Sequence, residues 1–238
     1  MPASRYKVLA VGAQLGATAS APFYVHLQSV AKKAATAYPF VVANEFICNQ
    51  FAKILVLPSP PGAIVEVNSQ PCYVSLDFNL SGHALPPANP ADVASEHPRL
   101  SWGISIFDIF VMNSDRHAGN ISYDTTTKKV QIFDHSHALV GLSPDIPGLI
   151  ARNENALGIG GHCLAREISS PDGQVEWIGR LKSMPDYFVA DIVHASVELG
   201  FPAGEASSFI DFLRRRRDKI DTLLQNNRAS FPRLPTTH

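Results

Sequence analysis

The sequence predicts an α+β fold of two lobes, a small mixed β/α lobe over residues 1–85 followed by a mainly helical lobe over residues 86–238. Three observations predict it. Short β-branched and aromatic runs surround a single helical period in the first part of the chain. A stretch rich in Pro, Asn, Ser and Gly, residues 77–99, then interrupts the pattern, and the last part has helical periodicity. With 238 residues, 45% of them apolar, each part is long enough to bury a core.

Tyr6 to Val11 (YKVLAV) and Phe23 to Leu27 (FYVHL) are strand-like, joined by the small-residue stretch Gly12 to Pro22, which is short and carries no G-x-G-x-x-G. A polar, alanine-rich connection follows. Val41 to Leu55 then places Val42, Phe46, Ile47, Phe51 and Ile54 at helical spacing, and Pro58-Ser59-Pro60-Pro61 ends that helix because proline has no N–H to continue it. Ala63 to Val67 and Cys72 to Leu76 are two further strands. The boundary between the lobes is expected near residue 85. The second lobe opens with a helix whose first turn is Pro98 and whose Leu100, Ile104, Phe107, Ile109, Phe110 and Val111 imply burial on most sides, ending at Asn113. Strands Ile121 to Tyr123 and Val130 to Phe133 flank a polar turn and make a hairpin, with Asp134 just past its end. Gly141 to Gln174 is loop with short helices. Helices are expected at Glu176 to Lys182, Tyr187 to Glu198 and Ala206 to Asn226.

Charge and cysteine content narrow the function classes. A net charge of −1 gives no pull toward nucleic acid or an anionic membrane, so neither is expected as a partner. Cys48, Cys72 and Cys163 are widely spaced, odd in number and without a C-x-x-C pair, which suits a reducing compartment. No apolar stretch is long enough for a bilayer span, and a cytoplasmic protein is expected.

The chemistry is concentrated in Asn113-Ser114-Asp115-Arg116-His117-Ala118-Gly119-Asn120 and in Ile132-Phe133-Asp134. Phosphoryl transfer from a nucleotide needs a carboxylate at the acceptor hydroxyl and oxygen ligands for magnesium. Asp115, Asn120 and Asp134 can supply them. An Asp and an Asn five positions on share one tight loop, and the hairpin returns the chain so that Asp134 meets the same metal from the opposite side. Asp115 could instead be a helix-terminal turn residue, a reading that Asn120 and Asp134 make the lesser one, and Glu45 a solvated or capping acid of its helix.

FDIFVMNSDRHAGN (Phe107 to Asn120), IFDHSHAL (Ile132 to Leu139), ANEFICNQFAKILVLPSPP (Ala43 to Pro61) and SLDFNLSG (Ser75 to Gly82) resemble the HipA-like kinases, a branch related to phosphatidylinositol-kinase-like folds. An L-x-x-R-x-x-x-I rhythm from Leu213 to Ile220 adds to the likeness. The resemblance implies a two-lobed protein-kinase-like fold, ATP and Mg2+ as cofactors, and a protein Ser/Thr hydroxyl as acceptor. It implies Asp115 as catalytic carboxylate with His117 beside it, Asn120 and Asp134 as magnesium ligands, Glu45 as the small-lobe acid, and Leu76, Asp77 and Asn79 near the adenine. Two positions depart from the family. Its phosphate lysine lies on the strand corresponding to FYVHL, where this chain has His26, Leu27 and Gln28, so that lysine is expected to be missing. His26 is then the candidate phosphate contact, with Lys32 or Lys33 from the following connection as the alternative. Ser136 also replaces a family glycine, so the backbone there must accept a Cβ.

Other readings accompany these. The missing lysine suggests a pseudokinase acting as a binding module. His117, His135 and His137 suggest a His/Asp metallohydrolase, although packing histidines are expected more often and no ligand spacing is present. The run Arg214 to Arg217 is expected to be a solvated, salt-bridged helix face, since four consecutive helical residues point in different directions.

Overall fold

The computed structural model describes residues 6, 8–16, 20–78 and 86–235. The first lobe starts with an antiparallel ribbon of β1 (Val8–Gln14) and β2 (Phe23–Leu27), exposed along nearly its whole length. A separate antiparallel sheet has the order β3-β5-β4, formed by β3 (Ser29–Lys33), β4 (Gly62–Val67) and β5 (Gln70–Leu76). Helix α1 (Val41–Ile54) packs under this sheet, its Val41 and Val42 against the buried ring of Tyr73. Gly62 lies opposite that ring, where a Cβ would come within 2.2 Å of the phenol oxygen. The helix stops as expected, at Leu55 before the proline run.

β3 corrects the sequence reading. The segment expected to be a connection is a strand paired along its length with β5, Lys32 opposite Tyr73. SVAKK is too short and polar to announce itself, and its hydrogen bonds come from a partner some forty residues away. Alternation along a strand puts Val30 and Lys32 on one face, and both line the cleft described below.

The second lobe is built around α3 (Pro98–Phe110), in which every residue from Ser101 to Phe110 is buried. Trp102 stacks on Phe231 and donates its indole N–H to the Ser170 carbonyl at 2.7 Å. Gly103 lets α5 (Gln174–Lys182) cross closely, since a Cβ there would meet the Trp177 ring at 2.4 Å. The lobes share one core, in which Phe51 of α1 meets Phe110 of α3 edge to face at 5.1 Å. The predicted hairpin forms from β6 (Ile121–Asp124) and β7 (Lys129–Ile132). α2 (Pro90–Glu96), with the Asn89 side chain accepting from the Ala91 N–H, lies inside the expected inter-lobe connection. The expected boundary near residue 85 falls outside the described residues. α4 (Ile146–Asn153) and α6 (Asp186–Ala195) follow. The long helix expected at the end breaks at Lys219 into α7 (Ala206–Asp218) and α8 (Ile220–Asn226).

The arginine run also differs from expectation. Arg214 and Arg215 are salt-bridged at the surface, to Asp211 and Glu154. Arg216 is fully buried and donates to the carbonyls of Ile109, Asn153, Ala156 and Leu157, while the largely buried Arg217 donates to the Met184 carbonyl. Half of the run is interior because carbonyls from the end of α3, the end of α4 and the segments after α4 and α5 face that side of α7 and accept from the two guanidinium groups. Among the described residues no helix is long and apolar enough to cross a membrane.

Candidate active site

Lys32 lies at the centre of a charged cluster between the lobes. Its Nζ is 2.5 Å from Glu45 Oε1, 2.7 Å from Asp134 Oδ1 and 3.2 Å from Ser136 Oγ. Burial works against the charge of Lys32, but the carboxylates of Glu45 and Asp134 outweigh it and hold the pKa above its ordinary value. Burial would likewise raise Glu45, yet His135 and Lys32 beside it bring it below the usual carboxylate range. For Asp134 the Lys32 charge and the hydrogen bonds from Lys32 and Ser136 overcome desolvation and lower the pKa to about 2. Lys32, offered by the sequence as the alternative to His26 and expected on a connection, is thus on strand β3 and paired with the α1 acid. His26 is on the exposed β1–β2 ribbon and lines neither cavity of the cleft.

Ser136 fits its position without left-handed backbone. The residue in that region is Asp134, at φ 59°, and the Ser136 hydroxyl reaches back to Asp134 Oδ1 at 2.8 Å and Glu45 Oε1 at 3.0 Å. Asn44, also on α1, donates to the Ser136 carbonyl at 2.9 Å. α1 therefore positions both the acid and the segment after Asp134.

The motif loop is held from behind by Asp108, a residue the sequence reading did not single out. Its carboxylate, in the middle of the buried α3, accepts from Arg116 Nε at 2.8 Å, Arg116 Nη2 at 3.1 Å, Asn113 Nδ2 at 2.9 Å and His162 Nε2 at 2.9 Å. Burial alone would raise its pKa, but the Arg116 charge and these hydrogen bonds hold it far below the ordinary range. Arg116 also donates to the carbonyls of Asn120 and Phe133 and to His135 Nε2, so all five of its N–H groups have partners. Because Arg116 can only donate, the His135 proton lies on Nδ1, the nitrogen that faces Glu45 Oε2 at 3.8 Å. His162 Nδ1 accepts from the Ala165 N–H, which leaves Nε2–H for Asp108. The signal was present in the sequence: one Asp within ISIFDIF is a charge that burial obliges to find a partner.

Asp115 and Asp134 line one cavity of about 350 Å³ together with Lys32, Ser136 and His137. The side-chain NH2 of the buried Asn120 donates to the Asp115 carbonyl at 2.9 Å, which leaves the amide oxygen as the group able to ligate a cation. A second cavity of about 400 Å³ shares Lys32 and Asp134 with the first and runs under the β3-β5-β4 sheet. Val30, Tyr73, Phe78 and Phe133 make it largely apolar, and Leu76 and Asp77 lie on its wall. Asn79 lies outside the described residues. His117 is exposed, with its ring accepting from the Gly119 N–H at 3.0 Å, and it lines neither cavity.

The three histidines of the metallohydrolase reading turn to different partners: His117 to Gly119, His135 to Arg116, His137 edge-on to Tyr38. Among the described residues no three His, Cys, Asp or Glu side chains converge as a metal cage.

A small sheet lobe carrying a Lys–Glu pair, set on a helical lobe carrying the Asp115, Asn120 and Asp134 loop and hairpin, defines a two-lobed kinase-like fold. The chain aligns over 94% of its length with 95% of the proinflammatory kinase CtkA of Helicobacter pylori, at a TM-score of 0.53 and 12% identity. At that identity the likeness shows the fold. A structure of Shewanella oneidensis HipA, solved with HipB and operator DNA, covers 86% of this chain at a TM-score of 0.48 and 14% identity, and the match spans 62% of that chain. No family profile matches the sequence, and no curated protein is similar to it in sequence.

Proposed function

We propose that this chain is an ATP- and magnesium-dependent kinase that transfers a phosphoryl group to a Ser or Thr hydroxyl of a protein. The observation that carries the reading is Lys32, whose Nζ meets Glu45 and Asp134 where the apolar cavity and the Asp115 cavity join. The donor set fits the implied cofactors. An amide oxygen from Asn120 and a carboxylate from Asp134 are the hard oxygen ligands magnesium prefers, and the 400 Å³ cavity with Leu76 and Asp77 on its wall suits a planar base. When bound, magnesium would neutralise charge on the phosphate oxygens and so favour transfer.

The chain's own groups have distinct tasks. Lys32, kept charged by its neighbours, binds the phosphates, and Glu45 holds its ammonium in place. Asp115 orients the acceptor hydroxyl and takes its proton as the new P–O bond forms and the bond from the γ-phosphorus to the bridging oxygen breaks, releasing ADP with that oxygen. The scaffold alternative rested on a missing lysine, and the Lys32–Glu45 pair supports the kinase reading over it.

Incubation with labelled ATP and magnesium should label the chain itself or an added protein. Asp115→Asn should slow transfer by about 10²–10⁴-fold. A variant as fast as wild type would sink the assignment of Asp115. ATP and magnesium should also raise the melting temperature of the wild-type chain, and no shift at millimolar nucleotide would leave only the scaffold reading.

A further inference from the structure

A third cavity, of about 340 Å³, opens beside the motif loop, and nothing in the phosphoryl-transfer reading uses it. Met112 and Ser114 form one wall, Leu139, Leu142 and Ser143 another, and Leu149 and Asn153 of α4 with Gly158 and Gly160 close it. None of its lining residues is Asp, Glu, Lys or Arg, whereas Lys32, Lys33, Asp115 and Asp134 all line the cavity next to it. The two meet: His137 lines both, and Ser114 on one side is the chain neighbour of Asp115 on the other.

The backbone around this groove is unusual. Met112 at φ 53° and Leu139 at φ 56° occupy the left-handed region that side chains with a Cβ rarely adopt. Gly141, Gly158 and Gly160, at φ 55°, 73° and 46°, line the same groove. A Cβ on Gly160 would come within 3.2 Å of the Ser114 carbonyl, so glycine permits the close approach of that wall to the motif loop. Residues held in such conformations persist where their surroundings over-determine them, and they gather at ligand clamps.

Resting on the kinase reading, we infer that this groove receives an uncharged apolar side chain of the acceptor polypeptide, from a residue near the one whose hydroxyl meets Asp115. An extended polypeptide advances about 3.3–3.6 Å per residue, so a neighbour of the acceptor residue is carried past Ser114. An ionised side chain would lose water there and find no opposite charge. An apolar one covers Leu142, which is 42% exposed, and takes its surface out of water. The charged cavity thus positions the hydroxyl, and the neutral groove reads what stands beside it.

The test uses serine peptides in which each flanking position carries Leu, Glu or Lys in turn, phosphorylated by the full chain with labelled ATP and magnesium. One position should favour Leu over both charged residues by about tenfold in kcat/KM. Leu142→Lys, at an exposed site, should erase that preference and make Glu the favoured residue at the same position. Leu142→Ala should weaken the preference for Leu without creating one for Glu. Equal use of all three residues everywhere overturns the inference, as does a preference that Leu142→Lys leaves intact. Self-labelling without peptide labelling overturns the groove assignment alone. No transfer to any acceptor, the chain itself included, removes the kinase reading beneath it.

Discussion

Two clusters of carboxylate and cation stand on either side of the motif loop, alike in chemistry and opposite in surroundings. Behind the loop, the Asp108 and Arg116 side chains are both 0% exposed, and every N–H of the guanidinium has a fixed partner. In the cleft, the Lys32 and Asp134 side chains are 28% and 39% exposed, and Lys32 divides its three N–H groups among three oxygens that also serve each other. A buried pair with no spare acceptor can only hold a shape. A half-exposed cluster with redundant partners can exchange one of them for a ligand without leaving a bare charge. His135 joins the two, accepting from Arg116 and facing Glu45, so the rigid cluster sets the position of the adaptable one.

The contrast breaks most sharply at Arg116. Arg116→Ala leaves the Asp108 carboxylate buried beside His162 and Asn113, and strips the Asn120 and Phe133 carbonyls of a donor. A loss of about 3–5 kcal/mol in stability is expected, read from urea or guanidinium unfolding. A loss below about 1 kcal/mol would mean that the hub is not the strut described above.

Lys32→Met should do the reverse. Transfer should fall by about 10²–10³-fold, as when a preorganised donor to developing charge is removed. Stability should fall by about 1–3 kcal/mol, less than at Arg116, because the buried Glu45 keeps the His135 N–H and the Ser136 hydroxyl while the lost cation was itself partly exposed. His26→Ala should alter neither quantity. If His26→Ala slowed transfer and Lys32→Met did not, the phosphate contact would belong to the ribbon after all.

These two variants also mark what could be read from the sequence and what could not. The loop, hairpin and Asp134 were legible because their geometry is local: a dozen residues and one turn bring Asp134 back to Asp115. The buried length of α3, Ser101 to Phe110, was legible from its apolar run. β3 was not, because its pairing with β5 is set by residues far along the chain, and Lys32 was therefore left in a connection rather than on a strand. The interior place of Arg216 depends in the same way on carbonyls of α3, α4 and the segment after it, which no local pattern announces. Asp108 lies between these cases, since its burial could be read but its partners could not.

The smallest expected effect separates the clusters by pH. The Lys32 charge lowers the pKa of Asp134 from 3.8 to about 2, so the folded chain resists protonation that the unfolded chain accepts. Asp134 therefore contributes stability that is fully present above about pH 4 and is lost as the pH falls toward 2. Partial exposure screens the pair, so the contribution is about 1 kcal/mol or less. Asp108, held ionised by Arg116, gives its own acid dependence, which Asp134→Asn leaves in place. The stability gap between wild type and Asp134→Asn should accordingly narrow between pH 4 and pH 3, within reach of unfolding curves. A gap that stays constant across that interval would show that Lys32 does not hold Asp134 in solution. The cleft cluster would then be open before any ligand arrives, and Lys32 would have to be positioned by Glu45 alone.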